Sequence, residues 1–341
     1  MILVTGGTGL VGSHLLLALV QQQKTVRAIH RATSDLNEVR KVFRYFSPEA
    51  DTLFDRIEWV EANILDIPAL TDAFQGITKV YHAAAYISFN TKQYRKIKKA
   101  NVEGTANIVN LCLAHDISKL CYVSSVATLG SKEGGLIDET THWNPEAKNS
   151  VYAITKYGAE MEVWRGTQEG LPAVIVHPGI ILGEGHWSSG SSVLVKRASK
   201  GMKYTPSGGI GVVDVKDVVN AMITLMEGST YNDNFILVGE NVRYKTLLTD
   251  LAVRFGNTPP QKKLPKWIML LVSNLDGLSA VLFGTKKKLP KATVRSMYTE
   301  SYYDASKIKM VTNFKFTSYA ETLDRITTHY SSVANESDAT G

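Results

Sequence analysis

The beginning of this chain restricts its fold more than any other feature. Residues 1 to 14, MILVTGGTGLVGSH, pass from an apolar run through closely spaced glycines into a second apolar run. A strand, tight turn and helix in that order bring backbone N–H groups, and the positive end of the helix, against a pyrophosphate. The glycines read in two registers. Gly7, Gly9 and Gly12 spell G-x-G-x-x-G, whereas Gly6, Gly9 and Gly12 are spaced by three.

The rest of the first half repeats the same rhythm. Short runs rich in Val, Ile, Ala and Tyr predict strands over 1–5, 26–30, 57–62, 79–84, 119–124, 173–177 and 234–238. Most lack polar alternation, as expected for strands covered by helices on both faces. Helices are expected over 10–20, 102–114 and 215–227. The fold class is therefore α/β: a Rossmann-type, doubly wound parallel sheet of about seven strands with a smaller C-terminal substrate lobe. We place the nucleotide-binding domain at 1–179 and 212–239, the lobe at 180–211 and 240–330, and a disordered polar tail at 331–341.

Composition excludes several classes. The net charge of +6 is mild for 341 residues and the basic residues are scattered, so no nucleic-acid partner is expected. Eight dispersed histidines show no metal-binding spacing, and no metal is expected. Cys112 and Cys121 have no paired spacing and read as buried thiols. A strand beginning at residue 1 leaves no leader segment, and a cytoplasmic location is expected. The stretch 267–284, WIMLLVSNLDGLSAVLFG, is flanked by lysines but interrupted by Asn274, Asp276 and Gly277. It reads as two short helices with apolar walls, with contact at a membrane surface as the alternative.

Chemistry enters at SVYAITKYGAEM, where Tyr152 and Lys156 lie four apart on one helix face. An ammonium beside a phenol is expected to lower the phenol's pKa and make it a proton donor and acceptor. Upstream, YVSSVATLG ends a strand at Ser124 and Ser125. With these residues the chain resembles the extended short-chain dehydrogenase/reductases. The glycine loop, NILD at 63–66, YHAAA at 81–85, NVEGT at 101–105, VSSVATLG at 123–130 and HPG at 177–179 follow in the family's order.

The resemblance implies catalytic roles for Tyr152, Lys156 and Ser125, with Ser124 the alternative serine. It selects the three-spaced glycine register and implies cofactor contacts at Gly6, Gly9, Leu10, Val11 and Gly12. Further contacts are implied at His30, Arg31, Asn63, Ile64, Ala83, Ala84, Ala85, Lys156, Pro178 and Gly179. Asn63 departs from the family's usual Asp. Arg31 at the second strand's end, with no acid before Asp35, favours NADP(H) over NAD(H). This segment resembles the dihydroflavonol reductases, whose matching arginine faces the 2′-phosphate.

Candidate substrate contacts are Tyr86, Ser88 and Thr128, with Phe89 and Leu129 beside them, and Trp187 and Tyr204 in the lobe. The expected activity is reduction of a ketone or aldehyde on a small apolar or aromatic substrate, by a homodimer. A nucleotide-sugar epimerase or dehydratase using NAD, and a non-catalytic NADP-binding protein, are the alternatives.

Overall fold

The computed structural model describes residues 1–88, 90–132, 134–187, 190–282 and 290–339, with backbone alone at 277–282 and 336–339. The first six strands are β1 (Ile2–Thr5), β2 (Val26–His30), β3 (Ile57–Glu61), β4 (Lys79–His82), β5 (Lys119–Val123) and β6 (Ala173–Pro178). After them come β7 (Ile180–Leu182), β8 (Tyr204–Thr205), β9 (Gly209–Asp214), β10 (Asp233–Leu237), β11 (Glu240–Arg243) and β12 (Lys262–Lys263). Seven strands form one sheet in the order β10-β6-β5-β4-β1-β2-β3, and every pairing in it is parallel. This is the doubly wound Rossmann arrangement. Strand order reverses at β1, which pairs with β4 in register Ile2 to Lys79. In such sheets the ligand crevice lies beyond the strand C-termini at that reversal.

Both faces of the sheet are covered, which explains the unbroken apolar strands. On one face Leu15, Leu16 and Leu19 share a core with Val218, Val219 and Met222; on the other, Ile108, Val109 and Cys112 share one with Ala159 and Val163. Burying each such aliphatic side chain stabilises the fold by roughly 1.5–3 kcal/mol. Cys112 and Cys121 are buried free thiols, raised by burial well above the ordinary thiol range. A second core, including Leu182, Val195, Ile210, Val242, Leu247, Leu251 and Ile326, lies around the small sheet β11-β9-β7. The domain boundary drawn at 211 falls inside β9.

Three stretches differ from expectation. The helix over 102–114 begins as a π-helical turn, Lys99–Glu103, before becoming α-helical at Gly104–Ala114. Residues 266–282 form one helix rather than two, because Asn274, Asp276 and Gly277 each cost only about 0.5–1 kcal/mol inside a helix and none is a proline. Residues 283 and 284 of that stretch lie outside the described residues. No described helix is long and apolar enough to cross a membrane. The polar tail continues the last helix, Tyr319–Ala339, instead of leaving it. An established helix extends at little cost per residue, whereas starting one is unfavourable. Residues 340 and 341 lie outside the described residues.

Candidate active site

The glycine loop resolves its own register. Gly6 has φ +74°, and a Cβ there would stand 2.6 Å from Ala83 C and Ala84 N. A Cβ at Gly12 would lie 2.1 Å from the Gly6 carbonyl oxygen. At Gly7 it would meet only the flexible end of Leu16, at 2.8 Å. Backbone closure therefore requires Gly6 and Gly12, and Gly7 is a packing position. Gly9 differs: its Cβ would have only the Gly6 oxygen, 3.5 Å away, within 4 Å. Gly9 is the N-cap of the helix Leu10–Gln21, with no side-chain cap and no acid in the first turn that contains Leu10 and Val11. A Cβ at Gly9 would fill space above these N–H groups, and this cradle fits a pyrophosphate.

The end of β2 bears on the cofactor's other end. Arg31 is exposed, and its guanidinium has no ion pair or hydrogen bond among the described residues. Asp35, the first acid after it, caps the next helix by accepting from Asn37 N at 2.9 Å. The His30 ring packs edge-on against Trp59, 6.0 Å between centroids. Asn63 is exposed and closes its own turn by accepting from Leu65 N at 3.1 Å. Ile64 lies against Gly104, where a Cβ would come within 2.6 Å of its Cδ1. Ala83 and Ala84 hydrogen-bond to Thr5 O and Oγ1, which holds the stretch after β4, ending in exposed Ala85, beside the glycine loop.

The two serines after β5 face different partners. Ser124 is buried and donates to Glu160 Oε2 at 2.6 Å. Ser125 caps a short 3-10 turn, accepting from Ala127 N, and its hydroxyl opposes the rise in the Tyr152 pKa. The geometry thus pairs Ser125 with the tyrosine. Ser150 caps the catalytic helix Val151–Gln168, accepting from Ala153 N and fixing where Tyr152 and Lys156 start their shared face. Pro178 ends β6 and Gly179 follows it, where a Cβ would stand 2.5 Å from Gly211 O.

Electrostatics here correct the sequence reading. Burial raises the Tyr152 pKa, and the Ser125 hydrogen bond only partly opposes it. Burial brings Lys156 down to about 7, against the Glu160 carboxylate, which raises it. A lysine so close to neutrality at pH 7 is a weaker phenolate stabiliser than a fully charged one, so the expected drop in Tyr152 is absent.

Lys156 reaches into the sheet. Its Nζ donates to Tyr122 Oη at 2.6 Å and to Val123 O at 2.7 Å. Tyr122 is hydrogen-bonded to Thr105, Thr105 Oγ1 lies 2.9 Å from His82 Nε2, and His82 Nδ1 lies 2.6 Å from Thr5 Oγ1. All five side chains are buried. Burial, helped by the Lys156 charge, lowers His82 to about 3, so its imidazole is neutral. These contacts run from Lys156 toward the strand that feeds the glycine loop. Sequence reasoning assigned no role to Tyr122, Thr105 or His82, although each stands inside a stretch that carries the resemblance: YVSSVATLG, NVEGT and YHAAA.

Asn101 was missed in the same way. Within the π turn it accepts from Tyr86 N at 2.7 Å and donates to Tyr86 O and Thr155 Oγ1, both 3.2 Å away. It therefore ties the loop after β4 to the catalytic helix. Local π turns recur at functional sites.

The proposed substrate contacts do not all converge. Tyr86 and Ser88 share this loop and both bond Gln93 Oε1; Phe89 lies outside the described residues. Thr128 is buried, donates to Ser125 O at 2.8 Å and lies 3.2 Å from His177 Nδ1, so it supports the serine turn from beneath. Leu129 packs against the core of Ile236, Val238 and Ala305. Trp187 packs on Tyr330 and His329 of the last helix, and Tyr204 lies on a two-residue strand, 47% exposed. A lone aromatic residue in sequence does not distinguish a pocket wall from lobe packing.

A doubly wound sheet carrying a glycine cradle and a Ser125–Tyr152–Lys156 group at its C-terminal edge defines a nicotinamide-dependent enzyme of the extended short-chain dehydrogenase/reductase class. The chain belongs to the NAD-dependent epimerase/dehydratase family, whose model matches residues 2–238. It is 29% identical over 313 residues to a Synechocystis protein provisionally named a dihydroflavonol 4-reductase, covering 89% of this chain and 87% of that one. It is 26% identical over 273 residues to sterol demethylase protein B of Methylococcus capsulatus, covering 78% of each. Among solved structures, gox2253 superposes with a TM-score of 0.80 at 26% identity, covering 97% of this chain and 98% of that one.

Proposed function

We propose that this protein is an NADPH-dependent reductase that converts a ketone or aldehyde on an apolar, ring-bearing molecule to the alcohol. The observation that carries the reading is the placement of Ser125 at the end of β5, where its hydroxyl acts on Tyr152, with Lys156 buried on the same helix as the tyrosine. When bound, the nicotinamide supplies a hydride to the carbonyl carbon. Ser125 and Tyr152 both hydrogen-bond the carbonyl oxygen, and Tyr152 gives it the proton. Its raised pKa keeps the phenol protonated beforehand, and the phenolate formed shares a helix face with the Lys156 charge. Arg31 takes the 2′-phosphate that distinguishes NADPH, and Asp35, the first acid after it in the chain, is engaged as a helix cap. The names of the sterol and dihydroflavonol relatives support a fused-ring substrate.

The test is to mix purified protein with NADPH or NADH and a panel of flavonoid, steroid and sugar-nucleotide carbonyls, and follow nicotinamide absorbance. NADPH oxidation with a ring ketone, lost in Tyr152→Phe, is expected. Preference for NADH removes the role of Arg31. Conversion of a nucleotide sugar without net oxidation overturns the reductase reading.

A further inference from the structure

The helix Lys266–Leu282 leaves large apolar side chains in solvent. On a surface helix the apolar stripe normally faces the core and the polar face meets water. Here Ser273 is fully buried, while Trp267, Leu271, Val272 and Leu275 are 66%, 50%, 45% and 57% exposed. Trp267, Leu271 and Leu275 follow one another at intervals of four, and therefore form a single ridge along the helix. Among the described residues, no packing partner covers that ridge.

Charge identifies what fits it. Exposed Lys262, Lys263 and Lys266 lie directly before Trp267, and no Asp or Glu occurs between Lys262 and Leu275. Lysines beside an exposed tryptophan, followed by an aliphatic ridge, match the boundary between anionic headgroups and acyl chains. A second copy of the chain would bring the same three lysines against a single acid of this helix, Asp276, which is half-buried. The helix is too short and too interrupted to span a bilayer, so it would lie in the plane of the interface. The chain's net charge of +6 adds long-range attraction to an anionic surface.

We infer that this helix is a peripheral docking surface for anionic phospholipid membranes, with Trp267, Leu271 and Leu275 inserted and Lys262, Lys263 and Lys266 at the headgroups. The inference does not rest on the reductase reading and can fail independently of it.

The experiment is sedimentation of the full chain with sucrose-loaded vesicles of phosphatidylcholine, with and without phosphatidylglycerol. Binding to the phosphatidylglycerol vesicles, weakened by salt, is the expected result. Leu271→Glu with Leu275→Glu lowers partitioning about a hundredfold. Charge reversal at Lys262, Lys263 and Lys266 lowers it about tenfold or more. Circular dichroism and light scattering are run on each variant. In the unsubstituted protein, Trp267 emission shifts to the blue on vesicles and is quenched by lipids brominated on the acyl chain; Trp267→Phe removes the change. Failure of the folded, unsubstituted protein to bind phosphatidylglycerol vesicles overturns the inference. So does unquenched Trp267, or a dimer in solution that the Leu271→Glu, Leu275→Glu variant dissociates.

Discussion

Replacing Tyr122 by Phe removes one hydroxyl from beneath the catalytic lysine and leaves the aromatic packing in place. The lost contact is the 2.6 Å hydrogen bond from Lys156 Nζ, which leaves Val123 O as the remaining acceptor given for the ammonium. A buried hydrogen bond to a charged group contributes about 1.5–3 kcal/mol. Tyr122 Oη accepts from the charged lysine and so favours the protonated form. At 1.36 kcal/mol per unit, its removal takes the Lys156 pKa about one to two units below its present value of about 7. The pH above which kcat/KM of the reduction declines then moves down by the same amount, because the ammonium that steadies the Tyr152 phenolate is lost earlier. Stability changes with pH in a related way. The folded-state pKa is depressed below the unfolded value, so the unfolded chain binds more protons between the two and the contribution of this group to stability rises with pH across that window. The substitution should therefore destabilise most below about pH 6, where Lys156 must be charged in both states, and less at about pH 8. Urea unfolding and kcat/KM profiles across this range measure both effects. Superimposable pH profiles with a destabilisation independent of pH would refute the reasoning and reduce Tyr122 to a packing residue.

The glycine loop offers a paired test. Gly12→Ala drives a Cβ into the Gly6 carbonyl and should lower the thermal midpoint as well as NADPH affinity, whereas Gly9→Ala should abolish NADPH binding with the midpoint nearly unchanged. Equal loss of stability in both would contradict the cradle geometry. Arg31→Ala should weaken NADPH about tenfold or more and leave NADH unaltered in fluorescence titrations, since one charge-assisted contact is removed. Arg325→Leu strips the partner from Glu184 and Asp214, which are buried; removing one member of such a group costs about 3–5 kcal/mol in denaturant unfolding. Burial raises the Glu184 carboxyl, but His14 and Arg325 outweigh it and hold the group down at about 2, so its stabilisation is full above the ordinary carboxylate pKa and is lost as pH falls from there through about 2. The variant should lose part of this acid-limb dependence, His14 still acting on the carboxyl; an unchanged pH–stability curve would contradict it.

The sheet was legible because its information is local. A strand covered on both faces reads as an unbroken apolar run, and all seven parallel strands were located that way. Val215–Glu227 carried its own cap at Asp214 and was equally plain. The motif Y-x-x-x-K placed Tyr152 and Lys156 on one helix face through the period of the helix alone. Three-dimensional structure decided what periodicity cannot express. It chose between Ser124 and Ser125, since adjacent residues leave a strand end in different directions and only one reaches Tyr152. It sent Lys156 inward to Tyr122 and thereby reversed the expected electrostatics, because burial depends on residues distant in the chain. Tertiary packing likewise set Thr128 beneath the serine turn and Trp187 against the last helix. The sequence alone showed an apolar segment at 267–284; only the packing around Ser273 showed that its greasy side faces out. Patterning shows that a helix has two faces, and the neighbours it meets determine which face stays in water.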